Sequence, residues 1–114
     1  MLARKKDARK FKISGGTKGL IYPSSPKGDQ TIAMVEMDRI YPEKGYSIND
    51  NCTETIFMLS GKFKMEVSGK KYTLKKGDMF TILPGNKYRI KGKGRAMDFI
   101  SPLWDSTQNH IIEK

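Results

Sequence analysis

Along most of the chain apolar and polar residues alternate, and glycine, proline or asparagine repeatedly breaks the alternation. In "KFKMEV", Phe63, Met65 and Val67 share one parity and Lys62, Lys64 and Glu66 the other. In "KYRIK", Tyr88 and Ile90 stand opposite Lys87, Arg89 and Lys91. Successive side chains of a strand point to opposite faces, so these stretches read as half-buried strands with their cations in water. "QTIAMVEMDRIY", "TETIFMLSG", "KYTLKKGD", "MFTILPGN" and "RAMDFISP" read the same way, each closed by a turn signal. Ser68-Gly69 marks a tight hairpin. Helical periodicity is absent from this region, and closely spaced short strands predict an all-β chain folded as a small antiparallel barrel or sandwich. The end differs: in "DSTQNHIIEK", Asp105 followed by Gln108 resembles a capping box and predicts a short C-terminal helix.

A length of 114 residues fits one domain and can support one core without staples. The net charge of +10 is uneven. Residues 1–18 hold Arg4, Lys5, Lys6, Arg9, Lys10, Lys12 and Lys18 against one acid, Asp7. This stretch ends in "SGGTKG", a joint by composition, which predicts a basic flexible segment over 1–18 and a barrel domain over 19–114. The basic stretch reads as a solvated terminus or as an arm for nucleic acid or another polyanion, aided by Lys87, Arg89 and Lys91. No nucleic-acid-binding motif accompanies it. One cysteine, Cys52, excludes an internal disulfide framework. With no secretory-type apolar leader, it predicts a cytoplasmic protein. No apolar run approaches a membrane span, so no membrane partner is expected.

Residues 31–103 resemble the cupin superfamily in its small single-domain form, a jelly-roll-like double-stranded β-helix. The first cupin motif has the form G-x5-H-x-H-x3-4-E-x6-G, and Glu54, six intervening residues and Gly61 match its second half. The second has the form G-x5-P-x-G-x2-H-x3-N. Gly77 and Gly85 match it, while Leu83, Tyr88 and Gly92 replace its proline, histidine and asparagine. Gly45 and Glu54 are separated by eight residues, fewer than the pattern needs. Counting back from Glu54, the two histidine places fall on Ser47 and Asn49, or on Ile48 and Asp50. The one histidine, His110, lies outside both motifs.

The resemblance implies a metal held by three histidines and a glutamate, and only the glutamate is kept. Imidazole is the nitrogen ligand that suits transition ions, and a phenol replaces it poorly. The expectation is therefore no cofactor and no transition metal. Asn49, Asp50 and Glu54 offer only the oxygens that Mg²⁺ or Ca²⁺ takes. Glu54 shares parity with Ile56 and Met58, so the barrel register points it inward, where a carboxylate needs a partner or a proton. Three environments satisfy it: a hydrogen bond from Tyr88 and a ligand, water at the barrel mouth, or a loop cation. Tyr88 reads as a core residue with one hydrogen bond or as a polar contact in a pocket.

The ligand-pocket candidates are thus Glu54, Tyr88, Met58 and Asn49, with Met65, Met79 and Met97 as further apolar lining or plain core. Cys52 reads as a spectator. Trp104 is expected at a barrel end or a subunit interface. The expected function is a metal-free module that binds a small molecule or acts structurally. The alternatives are a metal-independent sugar isomerase or epimerase using Glu54 and Tyr88, and a polyanion-binding protein. Small cupins commonly pair, and the apolar "GLIY" before the Pro/Gly loop is suited to a neighbour's sheet, so a homodimer is expected.

Overall fold

The computed structural model describes residues 1–13, 15–23 and 27–113. Parts of the "SGGTKG" joint and the "PSSPKGD" loop fall outside the described residues. Among the described residues, ten strands make up nearly all the regular structure: β1 (Arg9–Ile13), β2 (Thr17–Tyr22), β3 (Thr31–Met37), β4 (Ile40–Tyr41), β5 (Tyr46–Asn49), β6 (Thr53–Val67), β7 (Lys70–Lys75), β8 (Met79–Ile82), β9 (Tyr88–Ser101) and β10 (Asn109–Ile112). Every pairing is antiparallel. No helix among the described residues is long and apolar enough to cross a membrane.

The two long strands β6 and β9 pair along their whole length and hold the sheet together. At one end their partners are β3 on the β9 side and β8 on the β6 side. At the other end they are β4 and β5 against β9, and β7 against β6. The strands change partners at an irregularity between Met58 and Ser60. This bulge also changes the inward parity of β6: Glu54, Ile56 and Met58 are buried before it, Phe63, Met65 and Val67 after it. An extra residue on one strand bends it, which is what curling a sheet requires. Gly61 follows the bulge with φ of 78°, and a Cβ there would lie 2.2 Å from the Lys93 carbonyl oxygen. Only glycine lets the two backbones approach so closely in that conformation.

The core lies between the inner faces, with Met58, Phe63, Met65, Leu74, Ile82, Tyr88 and Ile90 buried together. The β6–β7 hairpin turns through Ser68 at φ 48° and Gly69 at φ 84°, the paired positive values of a tight hairpin.

One expected element differs. The terminal helix is absent; residues 109–112 form β10 on the edge of β5. The Asp105 carboxylate accepts from the backbone N–H and hydroxyl of Thr107, a local turn, and Gln108 is buried elsewhere. A ten-residue helix has to nucleate without much packing, whereas β5 offers an open hydrogen-bonding edge to Ile111 and Ile112. Residues 1–18 include a 3₁₀ turn (Lys5–Asp7) and β1, which pairs with β2 at Lys12–Lys18 and Phe11–Gly19. "GLIY" lies in β2, between β1 and β3 of the same chain.

Candidate active site

A cavity of about 810 Å³ opens between β1–β3, the inner faces of β6 and β9, and the C-terminal segment. Its lining is mostly apolar, with Ile21, Ala33, Val35, Met37, Ile56 and Ile100 among the walls. Half-exposed Ile13, Trp104 and Ile111 stand at the rim. Trp104 is tied there by its backbone N–H, which donates to the Thr31 hydroxyl at 3.1 Å.

Glu54 is placed by β6 between Ile82 of β8 and Ile100 of β9, and is 6% exposed. Its Oε1 accepts the Tyr88 hydroxyl at 2.9 Å and Asn49 Nδ2 at 3.1 Å. Of the three environments expected for Glu54, the hydrogen bond from Tyr88 is present. Tyr88 begins β9, opposite Ser47 of β5 and Val67 of β6. Burial first, and then the charge of Glu54, raise its phenol pKa well above the ordinary 10.0, so the hydroxyl stays protonated and donates. Tyr41 stands beside it with ring centroids 6.2 Å apart, its hydroxyl 3.4 Å from Ser47 Oγ. Burial raises the Tyr41 pKa too.

Of the two registers left open by counting back from Glu54, Ser47 and Asn49 face inward and are buried. Asp50 faces out, 2.6 Å from His110 Nε2. The trio Asn49, Asp50 and Glu54 therefore does not converge. Asn49 is engaged at both ends of its amide: besides donating to Glu54, its Oδ1 accepts Gln108 Nε2 at 3.0 Å and Asn109 Nδ2 at 2.9 Å. Gln108 Oε1 in turn accepts the backbone N–H groups of Asn51 and Cys52. The C-terminal segment thus orients the amide that orients Glu54.

Among the four pocket candidates, Glu54 and Tyr88 line the cavity. Asn49 supports Glu54 from behind, and Met58 is enclosed in the core at 0% exposure. Met65 is core as well, whereas Met79 points outward at 63% exposure. Cys52 is buried, its thiol near the Pro102 carbonyl at 3.4 Å, and burial pushes its pKa up.

Asp98 is the residue that motif reading missed. It lies on β9 opposite Ala33 and Ile56, both inward, and lines the cavity. Its Oδ1 is buried with no hydrogen-bond partner. Burial, and then the neighbouring Glu54 carboxyl, raise its pKa well above 3.8. The signal was present in "RAMDFIS", where Asp98 shares the parity of Ala96 and Ile100 on a strand whose other features are all apolar inside.

The profile of the family described as "Cupin domain" matches residues 41–101, more than half of the chain. The chain belongs to the cupin family. No curated protein sequence matches it. Among solved structures, a variant of Streptomyces PAC13 with uridine superposes at a TM-score of 0.88 with 13% identity, covering 99% of this cupin and 90% of that chain. Pac13, described as a nucleoside dehydratase, gives 0.87 and 13% identity over 99% and 91% of the two chains. KdgF from Halomonas sp. gives 0.76 and 18% identity over 94% and 97%. At such identities the likeness establishes the shared fold.

The metal that the family resemblance implies does not fit the donors of this cupin. The inward places hold the Ser47 hydroxyl, the committed Asn49 amide and the protonated Tyr88 phenol, which leaves Glu54 and Asp98 as the carboxyl donors. Among the described residues no three His, Cys, Asp or Glu side chains cluster around one point. Neutral oxygens with one or two carboxylates are a poor set for a transition ion.

Proposed function

We propose that this cupin binds a small hydroxylated organic molecule in its cavity and acts on it by acid–base chemistry without a metal. The observation that carries this reading is the Glu54 carboxylate held by Tyr88 and Asn49 at the inner end of a large apolar cavity. Ligand sites are concave, mainly apolar and carry a few fixed polar groups, with volumes of roughly 300–1,000 Å³. A nucleoside is the first class to try, because PAC13 shares the fold and is a uridine complex. Tyr88 and Glu54 are bonded to each other, so they approach a ligand from one side. Epimerisation, which needs a base and an acid on opposite faces of one carbon, is less suited to them than proton transfer on a single face.

The test is a panel of nucleosides and neutral sugars screened by thermal shift, followed by NMR of the hits for turnover. Binding that disappears in Glu54→Gln supports the reading. Stoichiometric Fe, Mn, Ni, Cu or Zn in untagged protein, lost in the same variant, refutes it.

The assembly we propose is a homodimer through the outer face of β2, β3, β9, β6 and β8. Leu20, Met34, Met97, Phe57 and Met79 lie side by side across these five strands, and Tyr22, Ile32 and Phe99 form the next row. Phe57, Met79 and Phe99 are exposed. Within these five strands neither row contains a lysine or arginine, and the first cation, Lys10 of β1, stands beyond Leu20, so charge repulsion between two copies of a +10 chain is lowest here. Sedimentation velocity is expected to show a dimer, and Phe57→Lys a monomer. A wild-type monomer at tens of micromolar would refute the assembly.

A further inference from the structure

Glu54 and Asp98 reach the cavity from adjacent strands. In the β6–β9 ladder Glu54 lies opposite Ile100 and Asp98 opposite Ile56, so the two carboxyls are diagonal neighbours on one face. The groups around Asp98 are almost all uncharged. From β3 come Thr31, Ala33 and Val35; from its own strand Ala96 and Ile100; from the far wall Tyr41 and Tyr88. The lining holds three further carboxyls, Glu43, Glu54 and Glu113, of which Glu54 is the one whose charge acts on Asp98, and Lys44 is the only cation lining the cavity among the described residues. No arginine or histidine lines the cavity among the described residues, and the carboxyls outnumber the single lysine.

Two ionised carboxylates in such a place repel each other and lack solvation, whereas one proton between them removes both penalties. The hydrogen-bond inventory has room for it. Glu54 Oε1 already accepts from Tyr88 and Asn49, which suits the ionised partner. Asp98 Oδ1 has no donor of its own, which suits the protonated one.

We propose that Glu54 and Asp98 work as one unit carrying a single proton, with Asp98 the donor and Glu54 the acceptor, and that this unit selects an uncharged ligand bearing hydroxyl or carbonyl oxygens. A ligand hydroxyl accepts from Asp98 and donates to Glu54. A carboxylate or phosphate placed there meets the charge of Glu54, in a lining whose carboxyls outnumber its one lysine. The raised pKa of Asp98, caused by burial and then by Glu54, agrees with this arrangement. The inference deepens the proposed function and rests on it for the ligand, but not for the proton.

Infrared difference spectroscopy of the whole protein at neutral pH tests the proton directly. Wild type is expected to show the carbonyl stretch of a protonated carboxylic acid, shifted in D₂O and absent in Asp98→Asn. In Glu54→Gln the band is expected to vanish at lower pH than in wild type, since the negative neighbour is gone. No band in wild type, or a band unchanged in Asp98→Asn, overturns the proposal. Calorimetry with uridine as the probe tests the selection. Its affinity for wild type is expected to fall by roughly tenfold per pH unit above the pH at which the band disappears, and to be independent of pH in Asp98→Asn. Uridine binding without the band leaves the ligand reading standing and refutes the shared proton. The band without uridine binding supports the shared proton and counts against uridine as the ligand.

Discussion

The two ends of β6 face different interiors. Before the bulge, Glu54 and Ile56 line the cavity beside Asp98 and Ala33 on the same sheet face; after it, Met65 and Val67 pack with Leu74 in the core. The strand, its partner β9 and the alternation are the same at both ends. The inward residues differ: Thr31, Ala33, Glu54 and Asp98 bring small and polar side chains into the cavity wall, whereas Met65, Val67 and Leu74 are all apolar.

Filling is the first half of that contrast to break. Met65 is 1% exposed, and Met65→Ala is expected to cost about 2–5 kcal/mol, read as a lower urea midpoint with an unchanged slope. The bulge that divides the ends comes next. At Gly61 an added Cβ meets the Lys93 carbonyl oxygen at 2.2 Å with φ at 78°, so Gly61→Ala is expected to cost roughly 1–3 kcal/mol, checked by the same titration.

At the cavity end the expected effect has the opposite sign. The pKa of Asp98 is raised above 3.8 in the folded protein, so the unfolded chain gives up this proton first as pH rises. Its contribution to stability is fully present below the unfolded value and is lost as pH climbs toward the folded one. Asp98→Asn escapes that loss. Its melting temperature is expected to match wild type in acid and to exceed it at neutral pH. A gap that narrows with rising pH would refute the assignment.

The outer face should respond least. Lys75, Lys62 and Lys93 stand side by side across β7, β6 and β9, with Lys64 and Lys91 in the next row. Like charges directly opposite destabilise a sheet, so Lys62→Glu is expected to gain about 0.2–1 kcal/mol at low salt. The gain should fade in high salt, where exposed charges are screened. Retention on heparin that survives the loss of these lysines would shift attention to the basic residues of β1.

Much of this was legible because a strand's alternation is local. The inward parities of 54–58 and 63–67, the Ser68-Gly69 hairpin and the inward Tyr88 all follow from side chains taking opposite faces in turn. The spacing from Glu54 to Gly61 and from Gly77 to Tyr88 was enough to place both residues in one barrel. By contrast, the choice between Ser47/Asn49 and Ile48/Asp50 waited on the register of β5 against β9 and β10. The terminal residues carried a helix signal, yet the free edge of β5 outweighed a capping box, since a hydrogen-bonding edge stabilises a short segment more than local propensity does. The pairing of Asp98 with Glu54, the size of the cavity and the apolar rows on the outer face are likewise products of strands distant in sequence. Alternation says which way a side chain points; only the folded sheet decides what it meets there, because opposition across strands is set by register and curl rather than by neighbours along the chain.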